Sequence, residues 1–305
     1  MSISFSQESN KKEGEVKEYY KNGRLKFICN YNIEKKESEC KTYYESGQLK
    51  SVYILKDGKK EGEVKGYNEN GQLSIKVFYK NDKIEGKTEV FYENGRLMKI
   101  FNLKNDKAEG EYKTYYEDED GKLKEVGYYK NGELEGECKF YHKNGLIEEI
   151  RFYKNGKKEG ESKAYYENGQ LSIKVNYKYD KKEGECEAYH KNGQLSIKVN
   201  YKNDKQEGEG KTYYEGGQLK SIYFLKNDKI DGEHKTYYKN GNLQLVLNYK
   251  NGEVEGGYKT YYESGLLKSI LIVKGGKKEG ELSEYNENGQ LIGVKYYKNG
   301  KEIIK

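Results

Sequence analysis

The sequence predicts an all-β protein: an elongated antiparallel β-hairpin repeat solenoid, a twisted sheet built from about twelve copies of a 24-residue unit. Three observations predict it. The string EGESKAYYENGQLSIKVNYKYDKK, residues 159–182, is followed at Glu183 by the near copy EGECEAYHKNGQLSIKVNYKNDKQ. Each unit holds two segments rich in Tyr and β-branched residues and bounded by Gly and Asn, which is the signature of strands and turns. Both connections are too short for anything except antiparallel neighbours.

Residues 1–12 form a worn half-unit, as terminal caps of repeat arrays do. The opening acid-Gly step then recurs at Glu13, Glu37, Glu61, Glu85, Glu109, Glu135, Glu159, Glu183, Glu207, Asp231, Glu255 and Glu279, with Ser38 the one exception to the Gly. The spacing is 24 residues except after Glu109, where YYEDEDGKL lengthens it to 26. These repeats make one domain, residues 13–302, and residues 303–305 are a tail. In each unit a first strand such as GESKAYY leads to a turn ending in Gly. Asn-Gly tolerates the positive φ of a tight hairpin there. A second strand such as QLSIKVNYK follows, and KNGKKEG or KNDKQEG turns the chain back.

The two-residue period puts Leu171, Ile173, Val175 and Tyr177 on one face and Ser172, Lys174 and Asn176 on the other. The aromatic at the seventh position of every unit, Tyr165 and its equivalents, completes the expected core ladder with the Leu column. Units such as LKSVYIL, residues 49–55, put apolar groups on both faces. Twenty-four strands about 4.8 Å apart would make a ribbon of roughly 115 Å if flat, which strand twist then coils.

The chain has 305 residues, 57 Lys+Arg against 51 Asp+Glu, 34 Tyr, no Pro and no Trp. Charged residues at 35% leave little for an aliphatic interior, yet 14% aromatic content excludes a disordered chain. The net charge of +6 comes from interleaved signs, with arginine only at positions 24, 96 and 151, which argues against nucleic acid as a direct ligand. No stretch approaches the roughly 20 apolar residues of a membrane helix and no signal-like run opens the chain. The expected location is the cytoplasm.

Cys40, Cys138 and Cys186, with His234, share the fourth position of their units. Equivalent positions lie about 9.6 Å apart per repeat, and Cys138 and His142 on one strand about 13 Å apart. Cys138 and Cys186, separated by two units, are thus about 19 Å apart, beyond any disulfide and any shared zinc. We therefore expect no metal and no cofactor. Glu-x-Lys pairs such as Glu161 and Lys163 read as charge pairing. No nucleophile–base ordering stands out among three histidines. The expectation is a protein that is not an enzyme and takes no small-molecule substrate.

A second tyrosine column, Tyr20, Tyr44, Tyr92, Tyr116, Tyr166, Tyr214, Tyr238 and Tyr262, is placed by period opposite the core ladder. Tyr flanked by Lys suits a protein-binding surface, and equally suits shielding of a thin sheet. Tyr44, Tyr92, Tyr116, Tyr166, Tyr214, Tyr238 and Tyr262 are the candidate contacts. Asp118 and Glu119 join them from the acidic turn that breaks the array's symmetry.

The strings YYENGQLSIKV, YKNGKKEGE and YYESGLLKS resemble the MORN repeat variant found in bacterial proteins, a relative of the membrane occupation and recognition nexus repeat. The likeness covers residues 13–302. It implies β-hairpin units in an elongated twisted sheet. Many bacterial members are antitoxin-like, so it also implies an inhibitor that binds and neutralises a toxin or nuclease-type effector. Relatives of the parent repeat implicate scaffolding at acidic membranes, which is the alternative, with Lys163, Lys211, Lys235 and Lys259 meeting the headgroups. Ser38, the longer turn and the missing Trp depart from the pattern, and the family supplies no catalytic motif.

Overall fold

The computed structural model describes residues 14–118 and 120–304. Among them are thirty-one strands and no helix, and the strand pairings are antiparallel, with some short strands, such as Lys83–Ile84 and Gly86–Phe91, pairing side by side with one longer strand. The expected cap, residues 1–12, lies outside the described residues. The chain divides into two compact units, Met1–Gly145 and Leu146–Lys305. The first holds the hairpins from Glu15–Tyr19 through Leu123–Lys130 and the strand Gly136–Tyr141. The second runs from Ile147–Lys154 to Lys301–Ile303. That last strand pairs Tyr296 with Ile303, so strand pairing reaches one residue past the expected limit at 302.

The Glu159 repeat shows how sequence becomes sheet. Gly160–Tyr165 pairs with Leu171–Lys178 in the register Gly160 to Tyr177, Ser162 to Val175 and Ala164 to Ile173. The register shifts between Ala164 and Tyr165, which brings Tyr165 opposite Leu171. The first turn is a three-residue loop rather than a two-residue Asn-Gly hairpin. Tyr166 N donates to Gln170 O and Gly169 N donates back to Tyr166 O, each 2.8 Å. Only Gly169 takes positive φ, +83°. Asn168 instead accepts the Gln170 N–H on its Oδ1 at 3.0 Å, the side-chain cap that favours Asn in turns. The return turn is the two-residue kind, with Asn203 at φ 51° and Asp204 at 67° in the next repeat.

Both turn edges are tied repeat to repeat by side chains. On one edge Asn168 Nδ2 donates to Lys191 O at 3.1 Å. On the other, Asp204 Oδ1 accepts Lys182 N at 2.7 Å and Glu183 Oε2 accepts Asn203 N at 2.8 Å. The opening Glu of the repeat is thus a cap for the following turn.

The tightest core is narrower than the expected ladder. Tyr165 and Leu171 are half-buried. The fully buried column joins the fourth residue of each repeat to the seventeenth. In the second unit it reads Ser162, Val175, Cys186 and Val199 across successive strands. The column keeps its width by pairing large with small. Tyr112, 2% exposed, faces Gly127, where a Cβ would lie 2.5 Å from Cys138 Sγ and 2.8 Å from the Tyr112 ring. Gly210 faces Tyr223 in the converse arrangement.

Candidate interaction surface

Opposite the buried column each unit presents an outer face. Its charges come mainly from the third and fifth residues of the repeat, with lysines of some second strands such as Lys76 and Lys198, and they are paired. Lys163 lies 2.6 Å from Glu161, and Lys198 lies 2.7 Å from Glu185 and 3.1 Å from Glu187. Lys211 pairs with Glu209 and Lys235 with Glu233. In the first unit Lys65 and Lys76 both reach Glu63, at 2.9 and 3.0 Å. Hydrogen bonds from Lys163 and Lys65 hold the Glu161 and Glu63 carboxyls below their ordinary range. Three of the four lysines expected to meet acidic headgroups therefore already carry a carboxylate. Lys259 does not.

Among these charges stand exposed apolar side chains at the eighteenth position: Phe78 and Tyr128 in the first unit, Phe152, Phe224 and Ile272 in the second. Their exposure follows from the bulge that opens the repeat after each of them. Asp231 N donates to Phe224 O at 2.9 Å, and the next residue is Gly232 at φ +117°. The strand beside the ring thus carries a glycine where a covering side chain would sit. The alternation of the sequence allows this row to be read, but the glycine that uncovers it was read only as turn chemistry.

The second tyrosine column stands elsewhere than its period suggests. The first strands end at the first tyrosine, and Tyr44, Tyr92, Tyr116, Tyr166, Tyr214, Tyr238 and Tyr262 open the turns, half-buried. Strand alternation does not govern them. Each donates its hydroxyl to the backbone carbonyl of the first tyrosine of the following repeat: Tyr44 to Tyr67 at 2.8 Å, Tyr116 to Tyr141 at 2.6 Å, Tyr166 to Tyr189 at 2.7 Å, Tyr214 to Tyr237 at 2.8 Å. His190 does the same from Nε2 to Tyr213 O at 3.1 Å. Lysines cover the rings, Lys220 and Lys239 lying 5.7 and 5.9 Å from that of Tyr214. The column is a hydrogen-bonded seam along one edge. The acidic turn is built into the same edge. Asp118 meets Lys143 at 3.4 Å, Asp120 meets Lys122 at 2.9 Å, and Glu117 O accepts from Asn94 Nδ2 at 3.3 Å. Glu119 lies outside the described residues.

The MORN repeat variant model matches residues 12–32, 36–57, 60–81, 84–105, 134–157, 158–179, 182–203, 206–227, 230–251 and 278–299. The chain belongs to the MORN repeat variant family. The two stretches that the family model passes over, residues 106–133 and 252–277, contain the Glu109 and Glu255 repeats. Both fold as MORN-type hairpins all the same, with Gly110–Tyr115 on Leu123–Lys130 and Glu253–Tyr261 on Leu267–Lys274. No curated protein matches in sequence. Among solved structures the chain is similar to one titled TcdB2-TccC3-Cdc42 and to the Tc holotoxin pore of Photorhabdus luminescens with TccC3-D651A. Identity is 13% and 12%, with 93% and 92% of this chain covered and a TM-score of 0.19 for both. The chain spans only 18% and 21% of theirs.

In this MORN array the cysteines are core residues. Cys138 is fully buried, with the Tyr112 hydroxyl 3.7 Å from its Sγ. Burial pushes the Cys186 thiol up, away from nucleophilic use. Cys29, which sequence reasoning left unassigned, faces Cys40 across adjacent strands with Cα atoms 4.1 Å apart, and the two form a disulfide. Residues 29 and 40 are the seventeenth and fourth positions of adjacent repeats, the relation that could have revealed the pair. Among the described residues no group of three His, Cys, Asp or Glu side chains is placed to hold a metal.

Proposed function

We propose that this is a non-enzymatic protein-binding repeat protein, an antitoxin-like inhibitor that binds and neutralises a toxin or nuclease-type effector in a bacterial cytoplasm. One observation carries the binding part: a face of charges already paired with one another, in which aromatic and aliphatic side chains such as Phe78 and Phe224 remain exposed. Charges already paired bring their counter-charges with them, so a partner need not bury any of them alone, and isolated apolar anchors in a polar field are how protein interfaces concentrate their energy. The bacterial source is supported by a composition rich in Lys, Asn, Ile and Tyr and poor in Arg. The inhibitor role rests on the family likeness stated from the sequence. The tyrosine seam remains a candidate contact through its ring edges, although its hydroxyls are spent on the backbone.

The test is capture of partners by the tagged full chain from its native lysate, beside variants Phe78→Ser and Phe224→Ser. A stoichiometric protein lost on either substitution is the expected result, and addition of the purified chain should then inhibit that partner's activity. Capture unchanged by both substitutions would remove the outer face from the account.

A further inference from the structure

Nine of the twelve repeats carry lysine at the fifth position, and one of these lysines differs from the rest. Among the described residues, every other lysine at the fifth position of a repeat pairs with a glutamate two residues before it, from Lys17 with Glu15 to Lys235 with Glu233. In the Glu255 repeat that glutamate is replaced by Gly257, and Lys259 is exposed with no carboxylate at ion-pair distance. The register sets Lys259 between Val246 and Ile270 on the two adjoining strands. Gly257 lies opposite Ile272, whose side chain it leaves 57% exposed. Two repeats back along the same position stands Phe224, 47% exposed. This is also one of the two repeats that the family model passes over.

Building on the protein-binding reading, we infer that Lys259, with Val246, Ile270 and Ile272 around it, is the docking point for an acidic side chain of another protein, one flanked by aliphatic groups. An unpaired ammonium in apolar surroundings is complementary to one carboxylate with an apolar collar, and gains more from it than a cation already bonded within its own strand. A lipid surface or a nucleic acid needs several free cations in a row, and the neighbouring Lys211 and Lys235 are neutralised. Gly257 has ordinary backbone geometry and only Asn248 Nδ2 near a built Cβ, at 3.5 Å. Glutamate therefore fits there and restores the pairing seen in the eight other repeats with lysine at the fifth position.

The experiment uses the full chain, a native lysate and a zero-length carbodiimide cross-linker, which joins lysine amines only to carboxylates in contact. Wild type is compared with Gly257→Glu, Ile272→Ser and, as a control beside a return turn of another repeat, the exposed Lys181→Gln. Unchanged circular dichroism and melting in each variant establish folding. The inference predicts a peptide containing Lys259 joined to an Asp or Glu of a second protein. It also predicts capture reduced by about tenfold or more in Gly257→Glu and Ile272→Ser and unchanged in Lys181→Gln. A partner joined elsewhere and indifferent to Gly257→Glu overturns this site while leaving the protein-binding function standing. If no variant nor the wild type captures a protein, both fall. Binding to phosphatidylserine vesicles that requires Lys259 overturns it in favour of a membrane.

Discussion

His234 occupies the core position where the adjacent repeats carry Gly210 and Tyr258, between the rings of Tyr223 and Tyr249 at 5.7 and 6.0 Å. Its Nδ1 is buried without a hydrogen-bond partner, and burial lowers its pKa below the ordinary 6.5. Just below that value the unfolded chain holds more protons than the folded one. The stability that neutral His234 permits is therefore complete above about pH 6.5 and drains away as pH falls toward the depressed folded value. We predict a urea midpoint that drops between pH 7.5 and 5, and a His234→Leu variant in which that drop is smaller; equal slopes would refute the assignment. Gly127 makes the opposite case, since its role is absence. Gly127→Ala forces a Cβ to within 2.5 Å of Cys138 Sγ and should cost about 1–3 kcal/mol by overpacking, read from the same titration. Tyr112→Phe at its neighbour removes only the hydroxyl bonds to Glu125 and Cys138 and leaves the large-small pair intact.

At the scale of the hairpin, the two turns do different work. The return turn requires two left-handed residues, and Asp204 supplies both the backbone geometry and a cap on Lys182 N. Asp204→Gly should lose the cap alone, about 1 kcal/mol. Asp204→Ala adds left-handed strain of about 1 kcal/mol more, so the difference between the two variants isolates the backbone term. A Tyr214→Phe substitution on the other edge tests the seam, with an expected loss of about 1 kcal/mol for the hydroxyl bond to Tyr237 O. Strand positions and the antiparallel order were legible because the repeat spaces turn residues evenly and alternation fixes faces. The tyrosine seam was not. Alternation extends only as far as the strand, and nothing in the string YYENG marks its second tyrosine as the first residue of a turn. The bulge at each opening Gly was equally hidden, since one glycine reads the same in a turn and in a bulge. That glycine exposes Phe224 and its equivalents, so the surface was less legible than the scaffold beneath it. Lys259 could be counted among the lysines, but its singularity appears only when Gly257 is set against the glutamates of the other repeats.

For the whole chain, the net charge of +6 is a weak guide to behaviour. The outer-face lysines of both units are largely bonded to glutamates within the same strand or across the hairpin. Such exposed pairs contribute little to stability, about 0–1 kcal/mol each, but they remove the free cations that an anionic membrane would attract. Attraction to such a surface is worth about 1 kcal/mol per unpaired basic residue and decays within a Debye length, about 10 Å at 0.1 M salt. With the Lys columns compensated, the full chain should stay in the supernatant when mixed with phosphatidylserine-containing vesicles, even at low ionic strength. Replacing the paired acids, for example by Glu161→Gln, Glu209→Gln and Glu233→Gln together, should free Lys163, Lys211 and Lys235 and produce salt-sensitive sedimentation. Sedimentation of the wild-type chain with those vesicles would instead show that the in-strand pairs open at a charged surface, and would restore the membrane scaffold as the working account of why the repeat is written so many times.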